Sequence, residues 1–287
     1  MVSPDIAKKI KQLEIYTRRL LNSTLVGDSR SAVKGSGFEF DQIRDYAFGD
    51  DIRFIDWHAS ARMNKVLVKQ YMQERSRTIY LLVDCSTSRM FGSSGMMRYE
   101  IMAQIASVLS LVCAYAKDQV GLILFTNEVE YVIPPNKGMQ HVRRIMEKLF
   151  TYKTAHTTTS IKTALDYMLH VPCRDALVFV ISDFIDEGFE RSLRLVAKKH
   201  DCIAIRCLDM YEQQMPCVGF LMLEDSETGN THMIDARDAR QISEQLQQRI
   251  CEQNKLFTAC GVDRIDITMH KPFIGELIRF FRYRMVS

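Results

Sequence analysis

The feature that most constrains this chain is a series of short, continuous apolar runs separated by segments of helix length. Residues 78–83 (TIYLLV) read as a strand covered on both faces, 119–125 (QVGLILF) as a further strand, 176–181 (ALVFVI) as a buried strand, and 202–207 as another strand. Helices are expected at 99–117, 139–150, 160–169 and 189–200, the first with Ile101, Ile105, Val108, Leu109 and Val112 on one stripe. A further strand is expected at 130–133. Strands and helices alternating at this spacing build a parallel sheet with helices on both faces, a doubly wound α/β fold.

The flanking regions read differently. Ser3 is placed to cap a first helix, Pro4 suits its first position, and Ile6, Ile10, Leu13, Thr17 and Leu20 recur at helical spacing. Its Lys8, Lys9, Lys11, Arg18 and Arg19 read as a solvated basic face. Residues 22–37 are rich in Ser and Gly and read as a loop, and 38–73 is polar and aromatic with little periodicity. After Asp209, residues 220–224 and 231–235 flank Thr228-Gly229-Asn230, which predicts a hairpin on the sheet edge. A polar helix from about 238 to 260, a strand at 262–268 and a helix at 273–284 complete the chain. The expected division is a helical and irregular N-terminal extension (1–76), the sheet domain ending in the hairpin (77–235), and a C-terminal helical segment packed on it (236–287).

Composition excludes several classes. With 47% hydrophobic and 25% charged residues over 287, the chain has enough apolar content for a sizeable core. Lys and Arg exceed Asp and Glu by only 38 − 35 = 3, too small an excess for a dedicated nucleic-acid binder. Eight cysteines without a C-x-x-C pair argue against a disulfide scaffold or a zinc site. Cys202 and Cys207 face opposite ways on a strand and read as reduced core thiols. With no apolar segment long enough for a signal or a membrane span, the expectation is a soluble, cytoplasmic chain without membrane insertion.

In an open α/β sheet, ligands bind beyond the carboxyl ends of the strands. After the first apolar run comes Asp84-Cys85-Ser86-Thr87-Ser88; after the third comes Ser182-Asp183; after the fourth comes Asp209. Thr157-Thr158-Thr159-Ser160 opens the helix that precedes the third run. These are hard oxygen donors, suited to Mg²⁺, Ca²⁺ or Mn²⁺ and not to zinc. Two carboxylates converging there repel unless a cation neutralises them. Hydroxyl ligands leave such a cation electron-poor and open to an acidic group from outside. Gly35-Ser36-Gly37 is no dinucleotide fingerprint, and the chain contains no G-x-x-x-x-G-K-[ST].

Residues 78–209 resemble a von Willebrand factor A-type domain, whose metal-ion-dependent adhesion site uses D-x-S-x-S, a Thr and a later Asp. The resemblance assigns Asp84, Ser86, Ser88, Thr159 and Asp183 as metal ligands, with Asp186 as the alternative to Asp183. Upstream, Gly37-Phe38-Glu39-Phe40, Arg44-Asp45-Tyr46, Gly49-Asp50-Asp51-Ile52-Arg53, Ile55-Asp56-Trp57, Ala61-Arg62 and Glu74-Arg75 resemble the bacterial family called domain of unknown function 58, as does Phe91-Gly92. Arg89 stands where that family usually has Met. Its members often carry N-terminal membrane helices, which this chain does not show. The resemblance implies a non-enzymatic protein-interaction module holding Mg²⁺ or Mn²⁺. The implied partner is a MoxR-type AAA+ ATPase or its client, contributing an acidic residue to the metal.

The Arg and carboxylate residues between 39 and 75 are expected to form bidentate pairs that clamp this segment to the sheet domain, or else a docking face, with Trp57 as a core anchor. The rival functional class is a magnesium-dependent hydrolase or phosphatase of the haloacid-dehalogenase kind. That chemistry needs a second Asp two residues after the first, and position 86 is Ser.

Overall fold

Apolar runs with no polar face can persist as strands only where helices cover both sides, and this requirement sets the architecture. A computed structural model describes residues 4–25, 39–72, 76–86, 98–154, 156, 158–209, 220–224, 231–269 and 271–286. The chain divides into two units, Met1–Arg19 with Arg77–Ser287, and Leu20–Ser76.

The elements begin with α1 (Pro4–Leu25), β1 (Glu39–Asp45), α2 (Trp57–Met63) and β2 (Leu67–Met72). There follow β3 (Thr78–Asp84), α3 (Arg98–Tyr115), β4 (Gln119–Phe125), β5 (Val129–Asn136), α4 (Met139–Thr151) and α5 (Ile161–His170). Next come β6 (Leu177–Ser182), α6 (Glu190–Lys199), β7 (Asp201–Leu208), β8 (Phe220–Glu224) and β9 (Thr231–Asp235). The chain closes with α7 (Ala236–Cys260), β10 (Asp263–Thr268) and α8 (Phe273–Val286).

In the larger unit, six strands form one sheet in the order β10-β7-β6-β3-β4-β5, parallel except for β5. Strand residues alternate between two apolar cores, as the pleat demands. Leu81, Val83, Leu122, Leu124 and Ile181 meet α3 and α4, together with Ile10 of α1 and Leu277 of α8. Tyr80, Leu82, Ile123, Val178 and Val180 meet α5 and α6, together with Phe257 of α7. Cys207 lies in the first core and Cys202 in the second, as their odd spacing predicts. Helix α3 is buried on nearly every side, and its Ser107 and Ser110 each donate to the carbonyl four residues back at 2.7 Å. Gly121 lets β5 approach: an added Cβ there would lie 3.1 Å from the Ile133 carbonyl oxygen.

One expectation about the C-terminal region changes. The hairpin β8–β9 forms, but as its own two-stranded ladder and not on the edge of the main sheet. That edge is taken by β10, which pairs in parallel with β7, so residues 236–287 supply a strand of the sheet as well as covering helices.

In the smaller unit, the stretch expected to be irregular contains an antiparallel pair, β1 with β2, bulged between Phe40 and Gln42. Its strands, EFDQIRD and LVKQYM, lack a continuous apolar run. Among the described residues, two of the expected arginine–carboxylate pairs form within the segment. Arg44 Nη1 and Nη2 donate to Asp50 at 2.7 and 2.6 Å, and Arg53 makes the same kind of pair with Asp51. Asp56 caps α2 by accepting from the His58 and Ala59 N–H groups at 3.1 Å. Trp57 is 69% exposed and anchors no core. Among the described residues no helix is long and apolar enough to cross a membrane.

Candidate functional site

The sheet order fixes where a ligand crevice opens. From β3 the chain runs outward through β4 and β5, then returns to β6 on the other side of β3 and runs outward again through β7 and β10. The order reverses between β3 and β6, and the crevice of such a fold lies beyond their carboxyl ends. Asp84 ends β3, Ser182 ends β6 and Asp183 follows it.

Register makes these side chains neighbours. Val83 pairs with Ile181, so Asp84 and Ser182 come next, side by side and on one face. Ser182 Oγ donates to Asp84 Oδ2 at 2.8 Å, and the Ser86 N–H donates to Asp84 Oδ1 at 3.0 Å. Asp183 Oδ1 accepts from the Ile185 N–H at 3.0 Å, while its Oδ2 is paired with Nη1 of Arg98, the first residue of α3. Asp84, Asp183 and Arg98 are only 2%, 5% and 2% exposed, so these charges meet away from water. Burial pushes the Asp84 carboxyl up to about 7, and the neighbouring Asp183 charge adds to the rise.

The turn carrying Asp183 is held under strain. Phe184 has φ of 59°, a left-handed conformation that is costly for an aromatic residue. Its fully buried ring packs edge-on against Phe257 with centroids 5.1 Å apart, and also against Phe189. Its carbonyl accepts from Gln253 Nε2 at 2.7 Å, and Arg206 Nη1 donates to Gln253 Oε1 at 2.7 Å. Arg206 is itself fully buried and donates to Asp266 at 2.8 Å. The turn is thus fixed from α7 and the β7–β10 edge.

Of the five residues assigned to a metal, Asp84, Ser86 and Asp183 come together, and Ser88 lies outside the described residues. Thr159 is brought to the same edge of the sheet through its neighbours. The Ser160 N–H donates to the Thr126 carbonyl just after β4 at 2.8 Å, and the Ile161 N–H donates to Asp186 Oδ2 at 2.7 Å. Asp186, the alternative to Asp183, is therefore engaged in bracing the start of α5. Ser160 caps that helix, its Oγ accepting from the Thr163 N–H at 3.4 Å. Asp209 follows β7 and is fully buried. His156, 2.9 Å from Glu128, belongs to a surface loop.

Among the described residues no three His, Cys, Asp or Glu side chains gather as a cation site. A divalent ion here would draw on the two carboxylates together with hydroxyl oxygens, a hard donor set that fits Mg²⁺ or Mn²⁺. Sequence reasoning missed Arg98. The signal was an Arg at the start of a largely apolar helix, where the helix dipole disfavours a cation. Arg206 gave a similar signal inside a buried strand.

Comparison with known proteins places the chain. Residues 42–255 match the family described as "Protein of unknown function DUF58". The chain belongs to this family. Similar family-length relatives include the uncharacterized protein Rv1480 of Mycobacterium tuberculosis, 24% identical over 286 residues, covering 98% of this chain and 90% of that protein. The uncharacterized protein YeaD of Bacillus subtilis is 28% identical over 107 residues, 37% of this chain and 25% of its own length. Among solved structures, the conserved hypothetical protein BatB of Bacteroides thetaiotaomicron aligns with a TM-score of 0.43 and 16% identity, over 67% of this chain and 91% of that one.

Proposed function

We propose that this DUF58 protein is a non-enzymatic interaction module of the von Willebrand factor A kind, which grips an acidic residue of another protein through a bound Mg²⁺ or Mn²⁺. The observation that carries the reading is the meeting of buried Asp84 and Asp183 at the reversal of strand order, with Ser86 beside them. The sheet order, with its antiparallel edge strand β5, supports the same reading. Asp84, Ser86, Ser88, Thr159 and Asp183 would hold the ion, which when bound supplies an electrophilic centre for an incoming carboxylate.

Charge balance supports an acidic ligand. Once a bound cation has ionised Asp84, the described groups Asp84, Asp183 and Arg98 sum to one negative charge; a divalent ion turns this into one positive charge, which a single carboxylate neutralises. Against a phosphatase of the haloacid-dehalogenase kind stands Ser86, which cannot serve as the second acid. The partner we propose is a MoxR-type AAA+ ATPase or a client passed to it, following the family resemblance.

Co-purification from the native host tests this reading. Wild type should retain the ATPase or its client in Mg²⁺, and lose it in chelator and in the Ser86→Ala/Ser88→Ala double variant. Equal recovery in all three would remove the metal edge as the docking site. Release of phosphate from ATP or simple phosphoesters, abolished in Asp84→Ala, would replace the interaction reading with an enzymatic one.

A further inference from the structure

Arg98 is placed at a cost that helix stability does not explain. It opens α3, where the helix dipole opposes a positive charge, and it is 2% exposed, where a lone guanidinium is untenable. Its ion pair is with Asp183, the carboxylate that the proposed function assigns to the metal. Asp183 has one oxygen engaged by the Ile185 N–H and the other by Arg98. Asp84 is held in the same way, between the Ser86 N–H and the Ser182 hydroxyl.

We infer that Arg98 is the resident cation of this carboxylate pair and competes with a divalent metal for Asp183. The inference rests on the metal reading given above and adds a control on it. A guanidinium stays charged at any working pH, so Arg98 cannot yield by losing a proton. A divalent ion beside Asp183 must loosen the pair and sit near a like charge in a poorly screened site. Arg98 therefore holds the intrinsic metal affinity low. An incoming carboxylate offsets that repulsion, so metal and acidic partner bind each other's occupied form more tightly than either binds alone. Such a site binds metal weakly by itself and more tightly once an acidic partner is present.

The test is a Mn²⁺ titration of the purified full-length chain, following free Mn²⁺ by electron paramagnetic resonance. Wild type, Arg98→Met and Arg98→Lys are compared, each confirmed as folded by circular dichroism. Arg98→Met should bind Mn²⁺ at least about tenfold more tightly than wild type, because a buried like charge has been removed, and Arg98→Lys should stay near wild type. Equal or weaker binding by Arg98→Met would overturn the inference and leave Arg98 as a scaffold. Absence of Mn²⁺ binding from wild type and Arg98→Met alike would overturn the metal reading itself. A second measurement needs no variant: in arginine-labelled wild type, Mg²⁺ should shift the Arg98 guanidinium resonances as the ion pair loosens. Unchanged resonances at a Mg²⁺ level that raises the melting temperature would also overturn the inference.

Discussion

Asp84 is held in its folded environment with a carboxyl that titrates near 7, whereas an unfolded chain releases the same proton near 4. Between those values the folded state binds the proton more tightly, so raising the pH withdraws stability. In chelator, the wild-type chain should therefore lose stability from pH 5 to pH 7.5 in urea melts, and Asp84→Asn should flatten that slope. An equal slope in both would mean that Asp84 does not carry the buried charge. Phe184→Ala should cost about 3–5 kcal/mol, since it empties the space between Phe189 and Phe257 while leaving a left-handed residue in the turn. Chemical denaturation measures this. At this scale the sequence disclosed the acids and hydroxyls, because they directly follow apolar runs. It did not disclose Arg98, whose partner lies 85 residues away and is found only once β3, β6 and α3 are packed together.

At the scale of elements, the inner strands β3, β4 and β6 were legible because burial on both faces leaves a nearly unbroken apolar record. The β1–β2 pair left no such record: polar side chains interrupt both EFDQIRD and LVKQYM. The hairpin was legible as a turn flanked by strands, but sequence spacing does not say which sheet a hairpin joins. Gly121 gives one test. In Gly121→Ala the added Cβ meets the Ile133 carbonyl and Pro135 at 3.1 Å, so overpacking should cost about 1–3 kcal/mol in thermal melts. The smaller unit gives another. Arg53 holds Asp51 down at about 2, Arg44 lowers Asp50, and the Ala59 N–H leads the lowering of Asp56. Carboxyls held low stabilise the fold above their unfolded value, near 4, and lose that contribution as pH falls through the folded value. Fluorescence of Trp57, the single Trp, should report an acid transition between about pH 4 and 2. Asp56→Ala, which removes the α2 cap, should move that transition to higher pH.

At the scale of the whole molecule, sheet order and site chemistry converge on one crevice. The strand reversal between β3 and β6 brings Asp84 and Asp183 together, and α3 delivers Arg98 to the same place from the other core. The larger unit thus combines a rigid sheet with a cluster of charges that a cation and an acidic partner can complete. The most direct measurement is the thermal stability of the full-length chain with and without Mg²⁺ or Mn²⁺, in wild type, Asp84→Asn and Asp183→Asn. Binding to the folded state raises the melting temperature. The account predicts a rise in wild type that both variants lose; no rise in wild type, or the same rise in all three proteins, would contradict it.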